Sequence, residues 1–190
     1  MADLPTIPFD SRDAWAAWLV AHGADSPEGL WLMLAKKGAG VPSVTYAEAL
    51  EEALRVGWID GQKRPLNEAW WLQRFTPRRA RSKWSQRNVA AAKGLIASGR
   101  MLPAGLAEVE RAQADGRWAA AYEPQSTATV PPDLQAALDA NPGAAAFFAT
   151  LSGANRYAIL FRIHDAKRPE TRAKRIDQYV AMCRAGETLH

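Results

Sequence analysis

Cysteine occurs once, at Cys183, so no intrachain disulfide can form. No apolar run approaches the roughly 18 residues that cross a bilayer. The longest comparable stretch, Asn141 to Leu151, reads as a core helix, and no membrane insertion is expected. The opening residues MADLPTIPFD lack the basic start and apolar stretch of a secretory signal. These three shortages set the expectation of a cytoplasmic protein. Histidine is scarce: His22, His164 and His190 stand isolated, and with one cysteine they give no metal-ligand spacing. HExxH, CxxC, GxSxG and the phosphate loop are missing. No metal, no cofactor and no catalytic residue is therefore assigned.

What the chain has is a large apolar supply and an uneven charge. Its 190 residues are 48% hydrophobic, enough to bury a sizeable core in one domain or in a domain with a helical extension. The net charge of +4 hides a partition. Residues 1–68 carry 6 basic and 10 acidic side chains, residues 69–107 carry 8 and none, residues 108–160 carry 3 and 6, and residues 161–190 carry 7 and 4. Clustering of this kind points to an anionic partner more strongly than the total does.

The pattern of elements is α+β in the first half and helical in the second. Ser11 caps a helix with Trp15, Trp18 and Leu19 on one face, ended by Gly23. The apolar run from Gly29 to Lys36 reads as a buried strand. Thr45 and Glu48 form a capping box before Tyr46, Leu50, Ala53 and Leu54, and Gly57 suits the left-handed position after the last turn. Trp58 to Gln62 and Ala69 to Phe75 read as a strand pair around a turn from Lys63 to Glu68, with Pro65 and Asn67 as turn formers. Beyond Pro77 no strand is expected. Ser82 is the candidate cap of a helix to Ala97, closed by Gly99, and Pro103 opens another ending near Gly116. Tyr122 to Val130 is a linker, after which Pro132, Pro142 and Pro169 fit the first turns of further helices. In the last of them Ala173, Ile176, Val180 and Cys183 form an apolar stripe.

The stretch from Phe75 to Asn88 holds the candidate site: Arg78, Arg79, Arg81, Lys83, Trp84, Ser85, Arg87 and Asn88, with Asp60 nearby in Gly57-Trp58-Ile59-Asp60-Gly61. Cations just before a helix N-terminus meet its partial positive charge, so something must offset them. A bound phosphate or carboxylate would do so, gripped by guanidinium forks and by the hydroxyls of Ser82 and Ser85. Pairing with Glu51, Glu52 or Asp60 would do so as well. Trp84, and one of Trp70 or Trp71, are the tryptophans best placed for a surface role, where an indole beside arginine stacks on bases. Trp15, Trp18, Trp31 and Trp58 fall on core faces. A second basic cluster, Lys167 to Arg175, sets Arg168, Arg172 and Arg175 on one helical face. It reads first as a solvated face and second as a phosphate-contacting one.

The same residues carry a resemblance. Gly57-Trp58-Ile59-Asp60-Gly61, Arg74-Phe75-Thr76-Pro77-Arg78-Arg79, Ser82-Lys83-Trp84-Ser85-Gln86-Arg87-Asn88, Gly99-Arg100-Met101 with Ala104-Gly105, Asp115-Gly116-Arg117-Trp118 and Ala166 to Arg172 follow in order. Together they resemble the bacterial YdeI/OmpD-associated family, also labelled bacteriocin-protection proteins, from about Phe9 to Gly186. The resemblance implies a YjbR/CyaY-like α+β portion over residues 1–80, a helical connector over 81–122 and an OmdA-like helical module over 131–190. It also implies a bacterial cytoplasmic protein and supplies no catalytic residues. The resulting expectation is a non-enzymatic binding protein of stress or bacteriocin protection. It engages nucleic acid or another polyanion, or an acidic ligand, through the Arg78–Arg87 segment. A small-molecule enzyme using Asp60 and the arginines on an acidic substrate, and a module presenting Trp84 to an acidic protein, stand as alternatives.

Overall fold

The computed structural model describes residues 4–190, which form two compact units dividing between Ala121 and Tyr122. The first holds β1 (Thr6–Pro8), α1 (Arg12–His22), β2 (Leu30–Ala35), α2 (Tyr46–Arg55), β3 (Trp58–Pro65), β4 (Trp70–Pro77), α3 (Gln86–Ala97) and α4 (Pro103–Ala114). The sheet order is β1-β2-β4-β3, with β1 parallel to β2 and the other pairs antiparallel. The α+β reading holds, and the strands expected near 29–36, 58–62 and 69–75 are present.

Two details differ from the sequence reading. A fourth strand, β1, pairs Ile7 with Leu32 at the sheet edge. It is three residues long, follows Pro5 and ends on Pro8, which edge strands tolerate because one side needs no ladder donor. The hairpin turn is also tighter than Lys63 to Glu68. Lys63, Arg64 and Pro65 pair with Gln73, Leu72 and Trp71 after a bulge that follows Asp60. The Asn67 side chain closes the shorter loop by accepting from the N–H groups of Ala69 and Trp70 at 3.0 and 2.9 Å.

Strand alternation sends Leu30, Leu32 and Leu34 to one face, where they are buried with Phe75, Trp15, Leu50 and Leu54. Trp15 is fully buried and its indole N–H donates to the Ala49 carbonyl at 3.0 Å, fixing α1 on α2. The capping box of α2 forms: Thr45 and Glu48 each accept from the other's backbone N–H, which lowers the Glu48 carboxyl below its ordinary pKa. Gly57 follows α2 at φ 78°, and a Cβ there would meet the Ala104 carbonyl at 3.0 Å, so glycine is needed both for the turn and for the approach of α4. Helices α3 and α4 belong to the first unit's core through Ala92, Leu95, Val109 and Ala112.

The second unit is α5 (Pro132–Asp139), α6 (Pro142–Thr150), α7 (Gly153–His164) and α8 (Pro169–Arg184). Three of these open on proline, and Ser152 caps the fourth. Leu134, Leu138, Phe148, Ile159, Ile163, Ile176 and Val180 form its core. Of the stripe expected on α8, Ile176, Val180 and Cys183 are buried. Ala173 is exposed and Tyr179 is buried on the other flank of the same stripe.

Asp133 accepts two hydrogen bonds from Arg172, at 2.5 and 2.8 Å, tying α5 to α8. The bond from Arg172 holds the Asp133 carboxyl below its usual range, against the opposing effect of burial. A depressed carboxylate stabilises the fold above its unfolded value, about 3.9, and loses that contribution as pH falls through the lower folded value. Asp133→Asn should therefore lower stability at pH 7 by less than about 1 kcal/mol for so open a pair, read as a lower melting temperature, and match the wild type near pH 2. All eight tryptophans lie before Ala121, so far-UV dichroism compared with tryptophan fluorescence isolates the second unit in this measurement. A pH-independent difference would remove the ion pair as its cause.

Candidate anion-binding site

The arginine segment is divided by the fold. Arg78 is only 6% exposed, donates to the Lys83 carbonyl at 3.2 Å, and lays its guanidinium 3.6 Å from the Trp84 ring centroid. Trp84 is 2% exposed and meets Trp118 edge-on at 4.8 Å. The surface role expected for Trp84 is thus corrected: its indole is core, and its cation is internal. Physically, the aromatic face and the Lys83 carbonyl offset part of the cost of burying the guanidinium. Arg78 consequently does not join the exposed Arg79, Arg81 and Lys83.

Ser82 is not the helix cap. Its hydroxyl accepts from the Arg79 N–H at 2.9 Å, its carbonyl accepts from Arg117 at 2.8 Å, and Arg117 is held by Asp115. The cap is Ser85, which accepts from the Asn88 N–H at 3.1 Å, so both residues are buried in a local structural role. The basic residues before Ser85 therefore precede α3 by a full loop, and Arg87 alone lies in its first turn.

The carboxylates proposed as internal partners are taken by other arginines. Glu52, 2% exposed, accepts from Arg12 at 2.7 Å, from Arg100 at 2.8 Å, and from Arg55. Glu51 pairs with Arg12 at 3.2 Å and with Arg100. Burial pushes the Glu51 carboxyl up, but Arg100 and Arg12 together outweigh it and the net shift is downward. Asp60 lies within β3, half-buried, and accepts the Tyr46 hydroxyl at 2.7 Å. Among the described residues, Arg79 and Arg81 have no carboxylate partner.

A different basic concavity forms at one end of the sheet. Lys36 and Lys37 leave β2, Lys63 and Arg64 end β3, and Trp71 begins β4; with Ala35 and Pro65 they line a hollow of about 550 Å³. Lys63 lies 4.5 Å from the Trp71 ring centroid, and Arg64, its neighbour on the opposite sheet face, lies 4.1 Å from that of Trp31. Among the described residues no carboxylate lines the hollow. Trp71 continues to Tyr46, centroids 6.0 Å apart, and Arg87 stands 5.7 Å from the Tyr46 ring. The result is a row of cation, indole, phenol and cation, with Asp60 orienting the phenol. Of the expected residues, this row unites Arg87 and Asp60. It adds Trp71, one of the two tryptophans the sequence offered for a surface role, and Lys36, Lys37, Lys63, Arg64 and Tyr46, which sequence reasoning did not assign. Their signal was two adjacent cation pairs, Lys36-Lys37 and Lys63-Arg64, but only the register Ala35↔Trp70 and Pro65↔Trp71 brings those pairs together.

Two arginines of the second basic cluster are held by internal contacts, while Lys167, Arg168 and Lys174 are exposed. Arg172 binds Asp133 and the Ile163 carbonyl, Arg175 donates to the Arg162 carbonyl, and Arg168 occupies the cap position of α8. Cys183 is buried, which raises its thiol pKa, and among the described residues no three metal-ligating side chains gather.

Residues 7–108 match a domain family of unknown function, DUF8412, and residues 127–186 match the family described as bacteriocin-protection, YdeI or OmpD-associated. No curated protein and no solved structure gives a match.

Proposed function

Because this chain belongs to the DUF8412 domain family and carries a bacteriocin-protection, YdeI or OmpD-associated module in its second unit, we propose that it is a non-enzymatic bacterial stress-protection protein that binds a polyanion. One observation carries this reading: Lys36, Lys37 and Lys63 gather at a hollow beside Trp71, Arg64 lines it while its guanidinium lies on Trp31 at the other sheet face, and among the described residues no carboxylate joins the lining. Lys36, Lys37, Lys63 and Arg64 supply charge, Trp71 and Tyr46 supply aromatic faces, and Arg87 extends the charge past them. The exposed Arg79 and Arg81 add to the field without forming part of the hollow. We place this activity in the cytoplasm, where a lone thiol such as Cys183 stays reduced.

The first candidate is single-stranded nucleic acid, whose phosphates answer the cations and whose bases stack on aromatic rings without strong sequence preference. Counterion release then makes affinity fall steeply with salt. The test is a salt titration of single-stranded and duplex DNA and RNA binding. Lys63→Ala/Arg64→Ala should weaken single-strand binding and reduce the salt slope by about 1.4, roughly 0.7 for each phosphate no longer neutralised. Arg78→Ala/Arg79→Ala should alter the slope by less than about 0.7, because Arg78 is internal. No association at about 50 mM salt rejects the nucleic-acid reading.

A further inference from the structure

On another side of the first unit the end of α1, the Gly57–Trp58 turn, Pro77 to Arg79 and the start of α4 enclose a cleft of about 650 Å³. That volume is in the range of small-molecule sites, about 300–1,000 Å³. Its walls are apolar, with Val20, Trp58, Leu102 and Pro103 among them, and Val20 is 64% exposed at its edge. Three charged side chains interrupt that surface: Arg78, Arg79 and Glu108. Arg78 is fixed by its contacts with Trp84 and the Lys83 carbonyl. Arg79 is exposed and its guanidinium has no carboxylate partner among the described residues. Glu108 gives one oxygen to Arg111 at 3.0 Å, whereas its other oxygen, Oε2, is buried and accepts no hydrogen bond among the described residues. A buried carboxylate oxygen without a donor is costly, so a donor supplied to it contributes strongly. Gly57 preserves the arrangement: a Cβ there would come within 3.0 Å of the Glu108 Cγ.

We propose that this cleft binds a small amphipathic organic anion that also carries an N–H or O–H donor. The apolar body lies against Trp58, Leu102 and Pro103, the acidic group meets Arg79, and the donor meets Glu108 Oε2. The charge on Glu108 repels anions that have no donor, so the site discriminates against plain alkyl or aryl acids. This site does not depend on the basic hollow at the sheet end, and no residue is shared between the two linings.

The probe is 8-anilinonaphthalene-1-sulfonate, which combines an aryl body, one sulfonate and one N–H, followed by its fluorescence on titration into the full chain. Saturable binding of one equivalent is expected. Arg79→Glu should weaken it by roughly tenfold or more. Ala104→Trp, an exposed position on the cleft wall, should abolish it by filling the space. Lys63→Glu/Arg64→Glu should leave it unchanged, which separates this site from the polyanion site. 8-Phenoxynaphthalene-1-sulfonate, in which an ether oxygen replaces the N–H, should compete about tenfold less well. Absence of saturable binding overturns the proposal, as does a natively melting Arg79→Glu variant that binds like the wild type. Should Ala104→Trp fail to fold, Arg79→Glu decides, since that side chain makes no internal contact that folding needs.

Discussion

Glu52→Ala should destabilise the first unit by about 3 kcal/mol, the low end of what losing one partner of a buried charge network costs. Glu52 is 2% exposed and is approached by Arg12, Arg55 and Arg100 from α1, α2 and the α3–α4 connection. Removing it leaves three guanidiniums facing each other with Glu51 as the remaining carboxylate. The low end applies because the arginines reach solvent and can hydrate; the Arg100 side chain is 40% exposed. For the same reason Arg100→Ala should cost under about 1 kcal/mol. Thermal unfolding followed by tryptophan fluorescence measures both, with a fall of roughly 10 °C expected for Glu52→Ala. A Glu52→Ala variant within about 1 kcal/mol of the wild type would show that solvent already shares the network.

Trp84→Ala and Trp71→Ala should have opposite consequences. Trp84 fills core space beside Trp118 and roofs the Arg78 guanidinium, so truncating it should cost about 3–5 kcal/mol of stability. Trp71 is half-buried at the hollow, and truncating it should cost little stability. It should, however, weaken single-stranded nucleic-acid binding by about 1–3 kcal/mol through the missing stacking. Urea unfolding and binding isotherms on the two variants separate the effects. A Trp84→Ala protein that folds normally but loses binding would return the site to the segment between Arg78 and Arg87. It would also reverse the assignment made from burial.

Element types were legible because each rests on local chemistry. The capping box at Thr45 and Glu48, the left-handed Gly57 and the first-turn prolines Pro103, Pro132, Pro142 and Pro169 act over one turn of chain, and all stand where the sequence puts them. Choosing between Ser82 and Ser85 as a cap was less legible. Both suit the position chemically, and the choice follows from Arg117 reaching back to hold the loop at Ser82. The three-residue β1 was illegible, since so short a segment has no periodicity and pairs only because β2 offers an edge.

The candidate site divides along the same line. The sequence by itself determined the α+β and helical halves, the acid-free interval from Ala69 to Ala107, and the abundance of tryptophan available beside cations. It did not determine which cations face solvent. Tertiary structure drew Arg78 under the Trp84 indole, gave Glu51 and Glu52 to Arg12, Arg55 and Arg100, and left Arg79 on a cleft wall. It also assembled Lys36, Lys37, Lys63 and Arg64 from strand ends that lie far apart along the chain. The physical reason is that charge is a property of a residue, whereas its partner and its solvation belong to the arrangement. Sheet register and helix packing fix both, and neither is encoded in the few residues on either side of an arginine.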